Sequence, residues 1–110
     1  MALEDTLMRK IVLWVESMPA IELLVNRLAI SLNLTERTLA RKVKARTNMS
    51  CAHFMQLIKL HQASEMLIYS LNPVNKISDD LGYSDDAAFR RSFKRITSYT
   101  PSQYRQLFKR

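Results

Sequence analysis

Glycine and cysteine are nearly absent from this chain of 110 residues, which contains one of each, Gly82 and Cys51. One cysteine permits no internal disulfide, which fits a reducing cytoplasm. One glycine provides no phosphate-cradling loop and almost no hairpin turns, and no segment alternates polar and apolar residues as a half-buried strand does. No nucleophile stands beside a base, and His53 and His61 are too far apart on a helix to share a metal. These absences argue against an enzyme, a metal site, a bound cofactor and a β-sheet.

Long hydrophobic runs are also missing. No apolar stretch approaches the roughly 20 residues that span a membrane. The N-terminus lacks the apolar region of a secretory signal peptide. The sequence therefore predicts a soluble cytoplasmic protein that has no membrane partner.

Basic residues, in contrast, are in excess, with 17 Lys and Arg against 10 Asp and Glu and a formal net charge of +7. Five of them lie in residues 34–46 and four in residues 84–96, so the positive charge is clustered. Clustered positive charge is the electrostatic footprint of a protein that binds a polyanion such as nucleic acid. The alternative is a basic helical module that docks an acidic protein partner.

Apolar residues recur at helical spacing along the chain and predict an all-α fold of seven helices with short connections. The expected helices cover residues 5–18, 21–31, 35–46, 50–69, 74–81, 84–96 and 101–107. Capping residues mark their starts, because a side-chain oxygen can accept a hydrogen bond from a free amide of the first turn. The predicted caps are Asp5, Thr35, Ser50, Ser84 and Thr100.

Gly82 marks a tight turn between two of these helices. It follows Ile77 and Leu81, so it stands where a helix ends and the backbone needs a positive φ. A helix, a short glycine turn and a second helix form a helix-turn-helix, whose second helix can enter the major groove of DNA. On that second helix Phe89 and Phe93 are expected in the core, which leaves the basic side free for a partner.

An internal repeat indicates two such units. Val25-Asn26-Arg27-Leu28 returns 49 residues later as Val74-Asn75-Lys76-Ile77. After one extra residue the offset becomes 50, and Leu39 and Val43 then match Phe89 and Phe93. We therefore predict two helix-turn-helix subdomains, residues 1–49 and 71–110, joined by a long linker helix at residues 50–70.

The tandem pattern resembles the DNA-binding domain of AraC-family bacterial transcription regulators from Leu7 to Phe108. Three runs of residues carry the resemblance: Gly82-Tyr83-Ser84-Asp85, Phe89-Arg90-Arg91-Ser92-Phe93-Lys94 and Thr100-Pro101-Ser102-Gln103-Tyr104-Arg105. The likeness is closest to members whose full chains carry an amidotransferase-like N-terminal domain. Asn48 and Ser98 stand where the family usually has glycine.

The resemblance implies a transcription factor that binds double-stranded DNA at specific sequences in the bacterial nucleoid. It implies that one chain inserts two recognition helices, about residues 35–46 and 84–96, into adjacent major grooves. It also implies a contact with RNA polymerase. Family members commonly carry an effector domain before this region. We expect that domain to be absent from this chain, which is then a fragment or a stand-alone regulator.

Twelve residues on the two recognition helices are the predicted DNA-binding residues. They are Arg37, Thr38, Ala40, Arg41, Lys44, Arg46, Asp86, Ala87, Arg90, Arg91, Lys94 and Arg95. Family base-reading positions match Arg37, Ala40 and Arg41 in the first unit and Ala87, Arg90 and Arg91 in the second. Which arginines read bases and which bind phosphate stays open, and so does a buried role for Arg41 or Arg91. Asp85 and Asp86 favour helix capping over base contact, so the first unit is expected to dominate sequence reading.

Overall fold

A computed structural model describes residues 2–109, with side chains from Thr6 onward. These residues form seven α-helices and one short 3-10 helix, and no strand lies among them. The α-helices are α1 (Ala2–Ser17), α2 (Val25–Ser31), α3 (Glu36–Thr47), α4 (Cys51–Tyr69), α5 (Val74–Asp80), α6 (Asp86–Thr97) and α7 (Pro101–Phe108), and the 3-10 helix is Ala20–Glu22. The predicted all-α fold, with two helix-turn-helix units on a long central helix, is confirmed. No helix in this range is long and apolar enough to cross a membrane.

Three of the predicted caps are confirmed. The hydroxyls of Thr35 and Ser50 each accept a backbone N–H at 3.1 Å, which satisfies one free amide of α3 and of α4. Thr100 does the same for α7, and the side chain of Gln103 accepts the Thr100 N–H in return. This reciprocal pair is a capping box, and Pro101 follows it at the first helical position, where a proline ring fits.

Two predicted caps are wrong. Asp5 lies inside α1, because that helix begins at Ala2. Asp85 caps α6 in place of Ser84, and its carboxylate accepts the Ala88 N–H at 2.7 Å. A carboxylate at a helix N-terminus is a stronger acceptor than a hydroxyl and also complements the helix dipole, so the helix starts one residue later than predicted. The turn between α5 and α6 accordingly spans residues 81–85.

The second predicted helix is interrupted. Residues 21–31 were expected to be one helix with Leu24 facing the core, but the 3-10 helix stops at Glu22 and Leu24 is extended. Leu23 is buried instead, and Leu24 is 49% exposed. The residues before the break are held against the turn after α5, where the Ala20 and Ile21 amides donate to the Leu81 and Gly82 carbonyls.

Four helix ends carry a residue in the left-handed conformation. Gly82 ends α5 with φ 80°, as predicted, and Asn33 ends α2 with φ 57°. Asn48 and Ser98 end α3 and α6 with φ 59° and 71°. These last two residues therefore adopt, without being glycine, the backbone conformation that glycine favours.

The hydrophobic core has two clusters. The first is built on α1, α2, α3 and the first half of α4, and its buried residues include Ile11, Val15, Leu28, Leu39, Val43 and Met55. The second is built on α5, α6 and the second half of α4, and its buried residues include Leu60, Ala63, Leu67, Ile77, Phe89 and Phe93. Both predicted core pairs of the recognition helices are thus confirmed.

The central helix α4 presents different sides to the two clusters. One continuous buried side was expected, with Phe54 and Leu57 in line with Leu60. Phe54 and Leu57 are only half-buried, and Met55 and Lys59 are buried instead. The buried side shifts because the first half of α4 packs in one cluster with α1, α2 and α3, whereas the second half packs in the other cluster with α5 and α6.

Candidate nucleic-acid interface

The first candidate face lies on α3, opposite the core. Leu39 and Val43 are fully buried, which turns Arg37, Arg41 and Lys44 to the outside at intervals of four and three residues. Ala40, between the arginines, is exposed as well. The Lys44 Nζ donates to the Asn48 carbonyl at 3.2 Å, which holds this ammonium at the C-terminal end of the helix.

The second candidate face repeats the arrangement on α6. Phe89 and Phe93 are fully buried, and Ala87 is exposed on the outer side of the helix. The exposed cations of this face are Arg90, Arg91, Lys94 and Arg95. Together with Thr100 they line a shallow groove of about 410 Å³. The alternative of a buried arginine is wrong, because both Arg41 and Arg91 are exposed.

Neither face is neutralised by neighbouring acids. The ion pairs among the described side chains include Arg27–Glu22 at 3.6 Å, His61–Glu65 at 2.7 Å and Lys76–Asp80 at 3.3 Å, none of which involves α3 or α6. Within residues 6–109, Arg37, Arg41, Arg90, Arg91 and Arg95 pair with no carboxylate. Both faces therefore present uncompensated positive charge to a partner.

The two faces differ in net charge. Residues 36–46 carry five basic residues and one acid, a balance of +4, whereas residues 85–96 carry four basic residues and two acids, a balance of +2. Asp85 caps α6 and Asp86 lies half-buried in its first turn. Both acids stabilise the N-terminus of α6 and weaken its attraction for phosphate.

Three of the twelve predicted residues lie at the edges of these faces. The Thr38 hydroxyl accepts a hydrogen bond from the Thr35 hydroxyl at 3.0 Å. Asp86 is in the capping turn. Arg46 is exposed, and it stands seven residues after Leu39 and three after Val43, at the edge of α3 that borders the core. Its repeat equivalent, Ile96, packs against the second cluster.

One buried cation was not predicted from the sequence. Lys59, in the middle of α4, is 1% exposed, and its Nζ donates to the Met18 carbonyl at 2.6 Å. Burial lowers the pKa of Lys59, and the nearby Glu16 carboxylate opposes that shift. Its spacing from Met55 and Ala63, four residues on each side, is the pattern that places Lys59 on the buried side.

Metal ligands do not converge among residues 6–109: no three His, Cys, Asp or Glu side chains there lie close enough to hold an ion. His53 is exposed and His61 pairs with Glu65. Cys51 is buried, and this burial raises the pKa of its thiol. The candidate binding residues of the described chain are therefore the exposed cations of the two basic faces.

The sequence is similar to those of known helix-turn-helix proteins. Residues 28–107 match a family model described as a helix-turn-helix domain. The chain is 34% identical over 77 residues to the HTH-type transcriptional regulator VqsM of Pseudomonas aeruginosa, a match that covers 70% of this chain and 23% of that protein. The chain spans about a quarter of the length of this relative and of several other curated relatives.

Solved structures show the same fold. A transcriptional regulator of Chromobacterium violaceum, described as an AraC-type DNA-binding domain-containing protein, superposes with a TM-score of 0.81 at 18% identity, over 96% of this chain and 95% of that chain. The DNA-binding domain of AdpA, solved in complex with a target DNA, superposes with a TM-score of 0.75 at 22% identity, over 91% of this chain and 90% of that chain.

Proposed function

Because the chain belongs to the AraC-type family of helix-turn-helix DNA-binding domains of transcription regulators, we propose that it binds specific sequences of double-stranded DNA with α3 and α6 in adjacent major grooves. The observation that carries the proposal is the repetition of one exposed, unpaired basic face on two helices that share a central helix. The solved AdpA domain, which has this fold, is bound to DNA. This likeness favours DNA over an acidic protein as the partner.

The dimensions of the molecule support two-groove binding. The 19 residues of α4 extend over about 28 Å at a rise of about 1.5 Å per residue. The longest dimension of the molecule is 39 Å. Successive major grooves on one side of B-DNA lie about 34 Å apart. If α4 holds α3 and α6 apart by about its own length, two-groove binding requires bending of the DNA, at a cost of about 1–6 kcal/mol.

The residues have different proposed roles. Arg37 and Arg41 are the candidates for bidentate pairing with guanine, worth about 1–3 kcal/mol of discrimination. Ala40 and Ala87 offer only a methyl group, which suits contact with a thymine methyl. The remaining exposed cations are proposed to bind bases or phosphates: Lys44, Arg90, Arg91, Lys94 and Arg95. Thr38, Arg46 and Asp86 are proposed to act at the edges of the contact.

The division into residues 1–49, 50–70 and 71–110 is proposed as the functional organisation, with each helix-turn-helix unit contacting one half-site. The proposed place of action is the nucleoid in the bacterial cytoplasm, where regulated promoters lie. We further propose a contact with RNA polymerase near the promoter, and no catalytic activity. A likeness to members with an amidotransferase-like domain stays a prediction.

The test starts with selection of bound duplexes from a random DNA pool, followed by affinity measurements on the selected site and on a scrambled site. The double variant Arg37→Ala/Arg41→Ala is expected to lose at least about tenfold in affinity for the selected site and less for scrambled DNA. The matched control, Arg9→Ala/Lys10→Ala, removes the same charge from the exposed side of α1.

Equal affinity of the unaltered protein for selected and scrambled DNA would contradict sequence-specific binding. Unchanged DNA affinity after Arg37, Arg41, Arg90 and Arg91 are all replaced by alanine would favour the acidic protein partner instead.

A further inference from the structure

Residues 18–21, between α1 and α2, contact both halves of the molecule, and we call this segment the clasp. On one side, the Met18 carbonyl accepts the hydrogen bond of the buried Lys59 in α4. On the other side, the Ala20 N–H donates to the Leu81 carbonyl at 2.8 Å, and the Ile21 N–H donates to the Gly82 carbonyl at 3.0 Å. The clasp therefore joins the end of α1 to the turn of the second helix-turn-helix unit.

Gly82 shows how closely the two units approach at the clasp. A Cβ at this position would lie 2.2 Å from the Pro19 Cβ and 2.5 Å from the Pro19 Cα. The repeat equivalent of Gly82 is Asn33, which has the same left-handed conformation and a side chain. The turn itself thus accepts asparagine, and the approach of Pro19 is what requires glycine in the second unit.

The other end of the clasp is anchored on α4. Lys59 places its ammonium at the C-terminal end of α1, where free carbonyls and the helix dipole favour a cation. Gln62, one turn further along α4, donates to the Glu16 carbonyl at 3.3 Å. These bonds fix the end of α1, and the clasp that follows it, to the middle of α4, between the two hydrophobic clusters.

The two helix-turn-helix units are connected by α4 and by the clasp, and two connections restrict their relative orientation more than α4 alone would. With α4 alone, bending or twisting of that helix near its middle changes the angle between α3 and α6. The clasp adds a second connection, from the first unit to the turn that precedes α6, so such motion costs the clasp hydrogen bonds and the Pro19–Gly82 contact. The family match begins at residue 28, so the clasp lies outside it.

We propose that the clasp holds the two recognition helices at one separation and orientation, so that the protein selects DNA sites by the number of base pairs between two half-sites. The proposal rests on the two-groove function proposed above. One inserted base pair moves a half-site by about 3.4 Å and rotates it by about 35° around the DNA axis. A protein whose recognition helices are held in one orientation can contact both half-sites after such a change only if the DNA is deformed.

Two variants loosen the clasp in different ways. Gly82→Asn keeps a residue that tolerates the left-handed turn and introduces a Cβ against Pro19. Lys59→Met removes the bond to Met18 and keeps an unbranched apolar stem; it also removes a buried charge, so the fold is expected to persist. Asn33→Gly is the matched control, because it changes the equivalent turn of the first unit.

The first measurement is the distance between spin labels at Ala45→Cys and Arg95→Cys, taken by pulsed electron resonance on the DNA-free protein with Cys51 replaced by alanine. The two labelled positions are repeat equivalents on α3 and α6. A narrow distance distribution is expected in the otherwise unaltered chain and in Asn33→Gly. A broader or shifted distribution is expected in both clasp variants.

The second measurement, on chains without labels, is affinity for the selected site with its spacer changed by one base pair in either direction. The unaltered protein is expected to lose at least about fivefold, the low end of the cost of bending a site. The clasp variants are expected to bind the native spacing more weakly and to lose less than the unaltered protein when the spacer changes.

The outcomes separate the two proposals. Unchanged distance distributions in both clasp variants overturn the inference, as does a broadened distribution with an unchanged spacing preference. If the unaltered protein binds a single half-site as tightly as the full site, the two-groove function fails first, and the inference fails with it. Broadened distributions together with a flattened spacing preference support both.

Discussion

Serine is a poor residue for the left-handed end of a helix, and Ser98 occupies one with φ 71°. Glycine adopts this conformation without steric cost. Ser98→Gly is therefore expected to raise the free energy of unfolding by about 1 kcal/mol, measured by urea denaturation followed by circular dichroism. Ser102→Gly, the same chemical change inside α7, is expected to lower it by about 0.5–1 kcal/mol. Equal effects of the two substitutions would show that φ at residue 98 is not the cause.

Tyr83 carries a buried hydroxyl that has no hydrogen-bond partner among the described residues. Its ring packs at a tilt of 50° against Phe89 with the centroids 5.1 Å apart, and burial raises the pKa of Tyr83 from 10.0 to about 12. Tyr83→Phe keeps the ring and removes the orphan hydroxyl. We expect this variant to be more stable than the unaltered protein by about 1 kcal/mol at neutral pH, measured by urea denaturation.

The raised pKa of Tyr83 also predicts a pH dependence. Between pH 10 and pH 12 the unfolded chain releases the Tyr83 proton while the folded chain keeps it, so the free energy of unfolding falls as pH rises through this range. Below pH 10 both states keep the proton and the effect is absent. Tyr83→Phe should reduce the slope between pH 10 and pH 12, whereas Tyr69→Phe, at an exposed tyrosine, should leave it unchanged.

Individual residues could be predicted from the sequence where the cause is local. Gly82 was placed in the left-handed region because it follows the last apolar residue of a helix. The contact between Gly82 and Pro19 was not predicted, because the partner lies in another part of the chain. The candidate cations were identified from helical spacing, and the structure leaves all of them exposed, Arg46 included.

Among the helices, α6 offers a direct test of which residue caps it. Asp85→Ala removes the carboxylate that accepts the Ala88 N–H and is expected to cost about 1 kcal/mol of stability. Ser84→Ala, one residue earlier, is expected to change stability by less than about 0.5 kcal/mol. Thermal and urea unfolding of the two variants measure this difference, and a larger loss for Ser84→Ala would restore Ser84 as the cap.

Helix positions were predictable from apolar periodicity, and most helix ends from capping residues. The interruption of the second predicted helix was not predictable in the same way. The residues before it contact the other repeat, where the Ala20 and Ile21 amides donate to Leu81 and Gly82. Local propensity contains no information about such a partner, so a continuous helix was the natural expectation for residues 21–31.

For the whole molecule, the salt dependence of DNA binding should report the number of phosphate contacts. The slope of log K against log salt concentration is expected to be steeply negative, at about −0.9 per phosphate neutralised. Replacing a cation that binds only phosphate, with Lys94→Ala as the first choice, should reduce the slope by about one such contact on every DNA sequence. A loss that depends on sequence, with no change of slope, would assign Lys94 to base reading.

The tandem organisation was evident from the repeat alone, because both units show the same apolar and basic pattern. The second contact between the units was not evident, because the clasp lies outside the repeated region and acts through backbone atoms. The sequence therefore predicted the two basic faces and the length of α4 that separates them. It did not predict the second contact that helps to set their relative orientation.

The sharing of α4 between two hydrophobic clusters has a consequence for protein engineering and for recombination between related genes. Each half of this helix forms one wall of a different core, so neither unit has a complete interior of its own without its part of α4. A chimera that exchanges one helix-turn-helix unit with a relative must take the matching half of α4 with it. The compatible crossover point lies inside the helix, near Lys59, and not in the loops on either side.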